Sequence, residues 1–189
     1  MSWRSPRGEE NLTANDPATG SHSALKLTLP SDKEILLSRE FDAPRALVFQ
    51  ACTDPQAIPQ WWGPRRYTTT VDKMDVRPAG EWRFVQRDAE GHVFAFHGVY
   101  REVVAPERVV DTFEFEPMPG YISLETMTLE EHGGRTTLTT RVAFWTTADR
   151  DGMLQSGMEE GASESMDRLA EYVLALQSKA KGERGHGSR

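Results

Sequence analysis

The sequence predicts an α+β fold: a curved antiparallel sheet of about seven strands including the N-terminal one, two short helices after strand one, and a long C-terminal helix packed across the sheet. Three observations lead there. Seven short hydrophobic runs are separated by turn residues, and two successive helix-start signals stand between the first run and the second. A final stretch places Leu154, Met158, Ala162, Met166, Leu169, Val173 and Leu176 at steps of three and four, which is one face of a helix. An antiparallel sheet cannot cover its own apolar face, so that helix must lie across it.

In chain order, residues 1–30 are polar and read as a disordered N-terminal arm. The folded domain is expected over residues 31–178, and residues 179–189 read as a second disordered tail. Residues 34–41 form the first strand. Asp42-Ala43-Pro44 then starts a helix, with a carboxylate to cap it and a proline in its first turn. Thr53-Asp54-Pro55 repeats the signal for a shorter helix, which Gly63-Pro64 ends just after Trp61-Trp62. Strands are expected over residues 67–76, 81–87, 92–103, 108–115, 122–130 and 135–144. Their joints carry turn chemistry: Asp88-Ala-Glu-Gly91, Ala105-Pro106-Glu107, Pro117-Met-Pro-Gly120 and His132-Gly133-Gly134. Acidic residues between Asp149 and Asp151 suit the N-terminus of the long helix.

Composition narrows the function classes. A hydrophobic fraction of 38% over 189 residues can fill one core, and no run approaches the apolar length of a membrane span. The start has no apolar segment of a secretory signal. The single cysteine, Cys52, rules out an internal disulfide, reads as a buried thiol and fits a reducing cytoplasm. With a net charge of −7 and the basic residues gathered toward the ends, nucleic acid is not an expected partner.

Four passages then carry a resemblance. They are Arg39-Glu-Phe-Asp-Ala-Pro-Arg-Ala-Leu-Val-Phe49, Asp54-Pro-Gln-Ala-Ile-Pro-Gln-Trp-Trp-Gly-Pro64, the pair Gly80-Glu-Trp-Arg-Phe84 and His97-Gly-Val-Tyr-Arg-Glu-Val103 with Pro106-Glu107-Arg108, and Thr147-Ala-Asp-Arg-Asp151 through Met166-Asp-Arg-Leu-Ala-Glu-Tyr172. In this order the chain resembles the helix-grip, START-like (SRPBCC) superfamily of birch-pollen-allergen-like proteins, lipid-transfer domains and polyketide cyclases. Within it the chain looks like the branch named after the activator of heat-shock-protein-90 ATPase homologue. The resemblance covers residues 33–177 and implies a stand-alone domain of the bacterial type. The superfamily's fold hosts carriers, cyclases and protein-binding modules alike, so function has to be read from the site.

The expected site is a cavity between the concave sheet face and the long helix. Period two along the strands and the helical spacing nominate Trp61, Trp62, Trp82, Phe84, Phe96, Tyr100, Phe113, Met153, Met158 and Met166 as ligand-binding residues. A core filled by the same side chains is the alternative. Gly152, Gly157 and Gly161 thin the helix, and methionines adapt to varied apolar shapes, both of which favour a cavity. The Trp61–Trp62 pair reads either as a lid or as an anchor with one half-exposed ring. Tyr100 reads either as a ligand-facing hydroxyl or as a buried tyrosine bonded to a carbonyl.

Polar chemistry is sparse. His22, His92, His97, His132 and His186 show no metal-ligand spacing, so neither metal nor cofactor is expected. No GxSxG, GxGxxG or P-loop pattern occurs. The strand carboxylates Glu81, Glu102, Asp111, Glu114, Glu116 and Glu125 alternate with Arg83, Arg101, Arg108 and Arg141, and cross-strand charge pairs on the solvent face account for both sets. Arg83, His97 and Tyr100 are the one cluster that a cyclase mechanism could use, but alternation does not turn all three inward. The expected function is therefore a carrier or sensor for an unknown small, mainly hydrophobic molecule rather than an enzyme. The alternatives are a polyketide-cyclase-like enzyme in the same cavity, or a stress-related module with a protein partner.

Overall fold

In the computed structural model, which describes residues 23–186, the chain runs β1 (Lys26–Thr28), β2 (Glu34–Phe41), α1 (Arg45–Thr53), α2 (Ile58–Trp61), β3 (Thr68–Met74), β4 (Glu81–Arg87), β5 (Val93–Val104), β6 (Arg108–Phe115), β7 (Ser123–His132), β8 (Arg135–Ala143), α3 (Thr147–Gln155) and α4 (Met158–His186). The eight strands form one curved sheet in the order β1-β2-β8-β7-β6-β5-β4-β3, with every neighbouring pair antiparallel.

The sheet has eight strands rather than the expected seven or so. The addition is β1, a three-residue edge strand paired with β2. Three residues, of which only Leu27 is partly buried, are too few to show alternation. Thus β1 takes residues 26–28 out of the expected arm, while residues 1–22 lie outside the described residues. At the other end α4 runs through His186, so most of the expected tail is helical, and residues 187–189 lie outside the described residues.

The long helix is also two helices. Gly157 adopts φ +81° between α3 and α4, a left-handed conformation that ends a helix and suits glycine. The cap of α3 is Thr146: its hydroxyl accepts from the Asp149 amide at 3.1 Å, and Asp149 accepts from the Thr146 amide at 3.1 Å. Asp42 does not cap α1, whose N-cap is Pro44; its carboxylate instead accepts from Arg135 at 2.7 Å.

Packing divides the molecule in two. In the filled half, Leu169, Ala170 and Val173 of α4 join Val48 and Phe49 of α1 and Leu129 and Leu138 of the sheet in one core. Polar ties hold α4 there. Arg39 of β2, 3% exposed, donates to Asp167 at 2.6 Å, and Arg168 donates to the carbonyls of Gly63 at 2.6 Å and Gln60 at 3.0 Å. The convex face carries the expected charge pairs, including Lys73–Glu81 at 2.6 Å, Arg83–Glu116 at 2.6 Å and Arg108–Glu102. Such exposed pairs add little to stability, because water and salt screen them. In the other half, α3 and the start of α4 stand off the sheet.

Candidate functional site

Between the concave face and these helices lies a cavity of about 650 Å³. This is within the usual size of small-molecule sites, roughly 300–1,000 Å³. Strand alternation builds the floor, because every second residue points to one face. Trp82, Phe84 and Gln86 come from β4, Phe94, Phe96 and Tyr100 from β5, Val109, Asp111, Phe113 and Phe115 from β6, Glu125 and Met127 from β7, and Leu138, Thr140 and Val142 from β8. Met153 of α3 and Met158, Ala162, Ser165 and Met166 of α4 form the roof. Met118, Tyr121 and Ile122 line the cavity and are solvent-exposed, so the β6–β7 loop forms its rim.

All ten residues nominated from sequence stand on the walls of this cavity. The rings are in continuous contact: Trp62 meets Phe84 at 5.3 Å and Phe96 at 5.1 Å, Trp82 meets Phe84 at 4.9 Å and Phe113 at 6.0 Å, and Phe96 meets Phe113 at 5.6 Å between centroids. Edge and tilted arrangements of this kind hold aromatic rings in fixed orientations. The tryptophan pair is anchor and wall. Trp61 is buried and its indole donates to the Ala51 carbonyl at 2.9 Å, while Trp62 packs edge-on against the floor. Tyr100 is buried on the cavity wall, and its hydroxyl has no hydrogen-bond partner among the described residues. Arg83 and His97 are on the convex face, bound to Glu116 and Glu114, so the cyclase cluster does not assemble.

Two residues overturn the solvent-face expectation for the strand carboxylates. Asp111 and Glu125 are direct register partners on β6 and β7, and both line the cavity. Each is partly accessible and borders the cavity. Asp111 accepts from the Trp82 indole at 2.9 Å; Glu125 has no hydrogen-bond or ion-pair partner among the described residues. Gly98 makes the Trp82 bond feasible. A Cβ there would fall 2.7 Å from the indole nitrogen and 1.7 Å from the Thr112 carbonyl oxygen, so only glycine lets the indole cross β5 to β6. Burial pushes the Glu125 carboxyl up to about 7. It also raises Asp111 well above the usual carboxylate range, with help from the facing Glu125 and against the Trp82 bond. The pair therefore keeps a proton near neutrality. Burial and then the Asp111 carboxylate raise Tyr100 as well.

The parity of the strands held this signal. Asp111 stands in the stripe Val109, Phe113, Phe115, and Glu125 in the stripe Met127, Leu129. A lone acid in an apolar stripe points inward with its neighbours. Cys52 also borders the cavity, and burial pushes its thiol up to about 12, which removes it as a nucleophile. Asp88, Glu90 and His92 bring ligand-type atoms within 4.8 Å of one another at the β4–β5 turn. There Asp88 accepts from the His92 amide at 2.8 Å, and the group stands apart from the cavity. No helix among the described residues is long and apolar enough to cross a membrane.

With this geometry in place, comparisons with known proteins are informative. A family profile described as Activator of Hsp90 ATPase homolog 1-like protein matches residues 42–174. A Rhodobacter sphaeroides protein of known structure superposes with a TM-score of 0.77 at 23% identity, over 81% of this chain and 99% of that one. The AHSA1 protein from Silicibacter pomeroyi does so with a TM-score of 0.65 at 26% identity, over 76% and 99%. DynU16, a protein of the dynemicin biosynthetic locus, matches with a TM-score of 0.59 at 22% identity, over 76% of this chain but 48% of its own. No curated protein matches the chain in sequence.

Proposed function

This chain belongs to the family of Activator of Hsp90 ATPase homolog 1-like proteins, and we propose that within it the chain binds a small, mainly hydrophobic molecule between sheet and C-terminal helices, as a carrier or sensor. The observation that carries this reading is the cavity itself: about 650 Å³, walled by aromatic and methionine side chains and rimmed by an exposed apolar loop. Folding normally fills such a space, because unfilled apolar volume costs roughly 24 cal/mol per Å³. A ligand would recover that loss, gaining ~25 cal/mol for each Å² of apolar surface buried. We take a cytoplasmic location with this reading, from the single cysteine.

One observation favours a second reading. Two carboxyls that share a proton inside a cavity could remove and return a proton, as a cyclase-like enzyme needs. The reading as a protein-interaction module presupposed a filled core, and the cavity weighs against it.

Titration with the neutral dye N-phenylnaphthylamine tests the carrier reading. Saturable fluorescence enhancement is expected, with a rise in melting temperature. Phe84→Ala should weaken binding several-fold, Ala162→Phe should abolish it by filling the roof, and the exposed Arg101→Ala should leave it unchanged. Absence of saturable binding, or equal affinity in all three variants, would remove the assignment.

A further inference from the structure

Whatever polar group a ligand brings into this cavity meets acids and neutral groups. Three carboxylates border it: Asp111, Glu125 and Asp149. Asp149 is committed to the cap of α3. Asp111 accepts one hydrogen bond, from Trp82, and Glu125 accepts none among the described residues. No lysine, arginine or histidine lines the cavity among the described residues. Glu125 is thus a carboxyl group on the wall of a mainly apolar chamber, left without a partner among the described residues. The Trp82 indole, which holds Asp111, lies against Phe84 and Phe113.

We propose that the molecule bound in this cavity is an amine on an apolar frame, its ammonium group seated between the Asp111 and Glu125 carboxylates and against the neighbouring aromatic rings. This rests on the ligand-binding reading above and specifies the ligand class. Two carboxylates directly opposite each other repel when both are ionised, and a cation between them turns that repulsion into attraction. An ammonium carries several N–H donors and can bond both carboxylates at once. A hydroxyl brings one donor and no charge. A carboxylate or phosphate on the ligand would add a further like charge. The aromatic faces supply cation–π attraction in a desolvated setting, where it is strongest. An enclosed ammonium is tolerated only where it is paired and hydrogen-bonded, a condition these two carboxylates meet. The carboxyl pair of the empty cavity retains a proton near neutrality, and seating the cation expels it.

The test compares naphthylethylamine, naphthylethanol and naphthylacetic acid, which share one aromatic frame, by titration calorimetry on the full chain. Salt of about 0.5 M screens general attraction to an acidic protein. The amine is expected to bind about tenfold or more tightly than the alcohol, and the acid most weakly. Amine binding should release protons, read from the buffer dependence of the heat, and alcohol binding should not. In the isosteric variants Glu125→Gln and Asp111→Asn the amine preference should fall toward parity while alcohol affinity is kept, and a melting curve confirms that each variant folds. Equal binding of amine and alcohol to the parent, or a preference that survives both substitutions, overturns the amine assignment and leaves the cavity as a ligand site. Binding of none of the three overturns both.

Discussion

Glu125 makes stability depend on pH in a direction opposite to that of most carboxylates. Its folded value near 7 lies above the ordinary 4.5 because burial penalises the charged form. Below 4.5 the group is protonated in both states and its contribution is fully present. As pH rises toward 7 the unfolded chain releases the proton first, and folding loses free energy until the folded group ionises too. The loss is on the order of a few kcal/mol, or several degrees of melting temperature. Asp111, raised by the same burial, adds its own pH dependence, and Tyr100 and Asp149 border the same cavity. The informative quantity is therefore the difference from Glu125→Gln. That variant should gain melting temperature over the parent between about pH 4.5 and pH 7, and the gain should level off above that. Parallel curves would show that Glu125 ionises in the fold as it does in water. The sequence held the position of this acid but not its environment. Alternation turns Glu125 inward with Met127, whereas the fact that no basic side chain follows it into the cavity depends on where six other strands and loops deliver theirs.

At the scale of elements, the strands were legible and the interruptions were not. Period-two patterning places β4 and β6 at their observed limits, because a half-buried strand writes its faces into sequence directly. The break between α3 and α4 leaves the helical spacing of the apolar residues nearly unchanged, so only the positive φ of Gly157 reveals it. Gly98 is similar: in sequence it is a glycine within a strand, and in the fold it is the gap through which one strand's indole reaches another strand's carboxylate. Gly98→Ala forces its new methyl onto the Thr112 carbonyl, which is backbone and cannot rotate away. The expected cost is about 1–3 kcal/mol or more, with the Trp82–Asp111 bond lost. Urea denaturation would report it as a lower midpoint, and a change in tryptophan emission would accompany it. An unchanged midpoint would mean that β5 and β6 separate freely at this point. Trp82→Phe, which removes the same bond without touching the backbone, should cost less.

The whole molecule joins a filled half to a hollow one, and the two should differ in motion. The fold class was readable because both halves draw on the same sheet and the same helical stripe. The lining of the hollow was readable too, from strand parity and helical spacing; its volume was not, because volume is the difference between what surrounds a space and what enters it. Around Val48, Leu129, Leu169 and Val173 the core is filled, so opening there exposes apolar surface and breaks sheet hydrogen bonds together. Over the cavity, α3 buries a single residue by accessible surface, Arg150, and ends at the left-handed Gly157. Lifting α3 exposes little that is not already bordering empty space. Native-state hydrogen exchange should therefore show α3 and the first turn of α4 opening locally, several kcal/mol below the free energy at which β7, β8 and α4 around Leu169 exchange. A ligand that fills the cavity gives α3 something to pack against and should slow its exchange selectively, leaving β8 nearly unchanged at limited occupancy. If α3 amides exchange only with global unfolding, the roof is a fixed part of the fold and ligands must pass by the rim at Met118, Tyr121 and Ile122 alone.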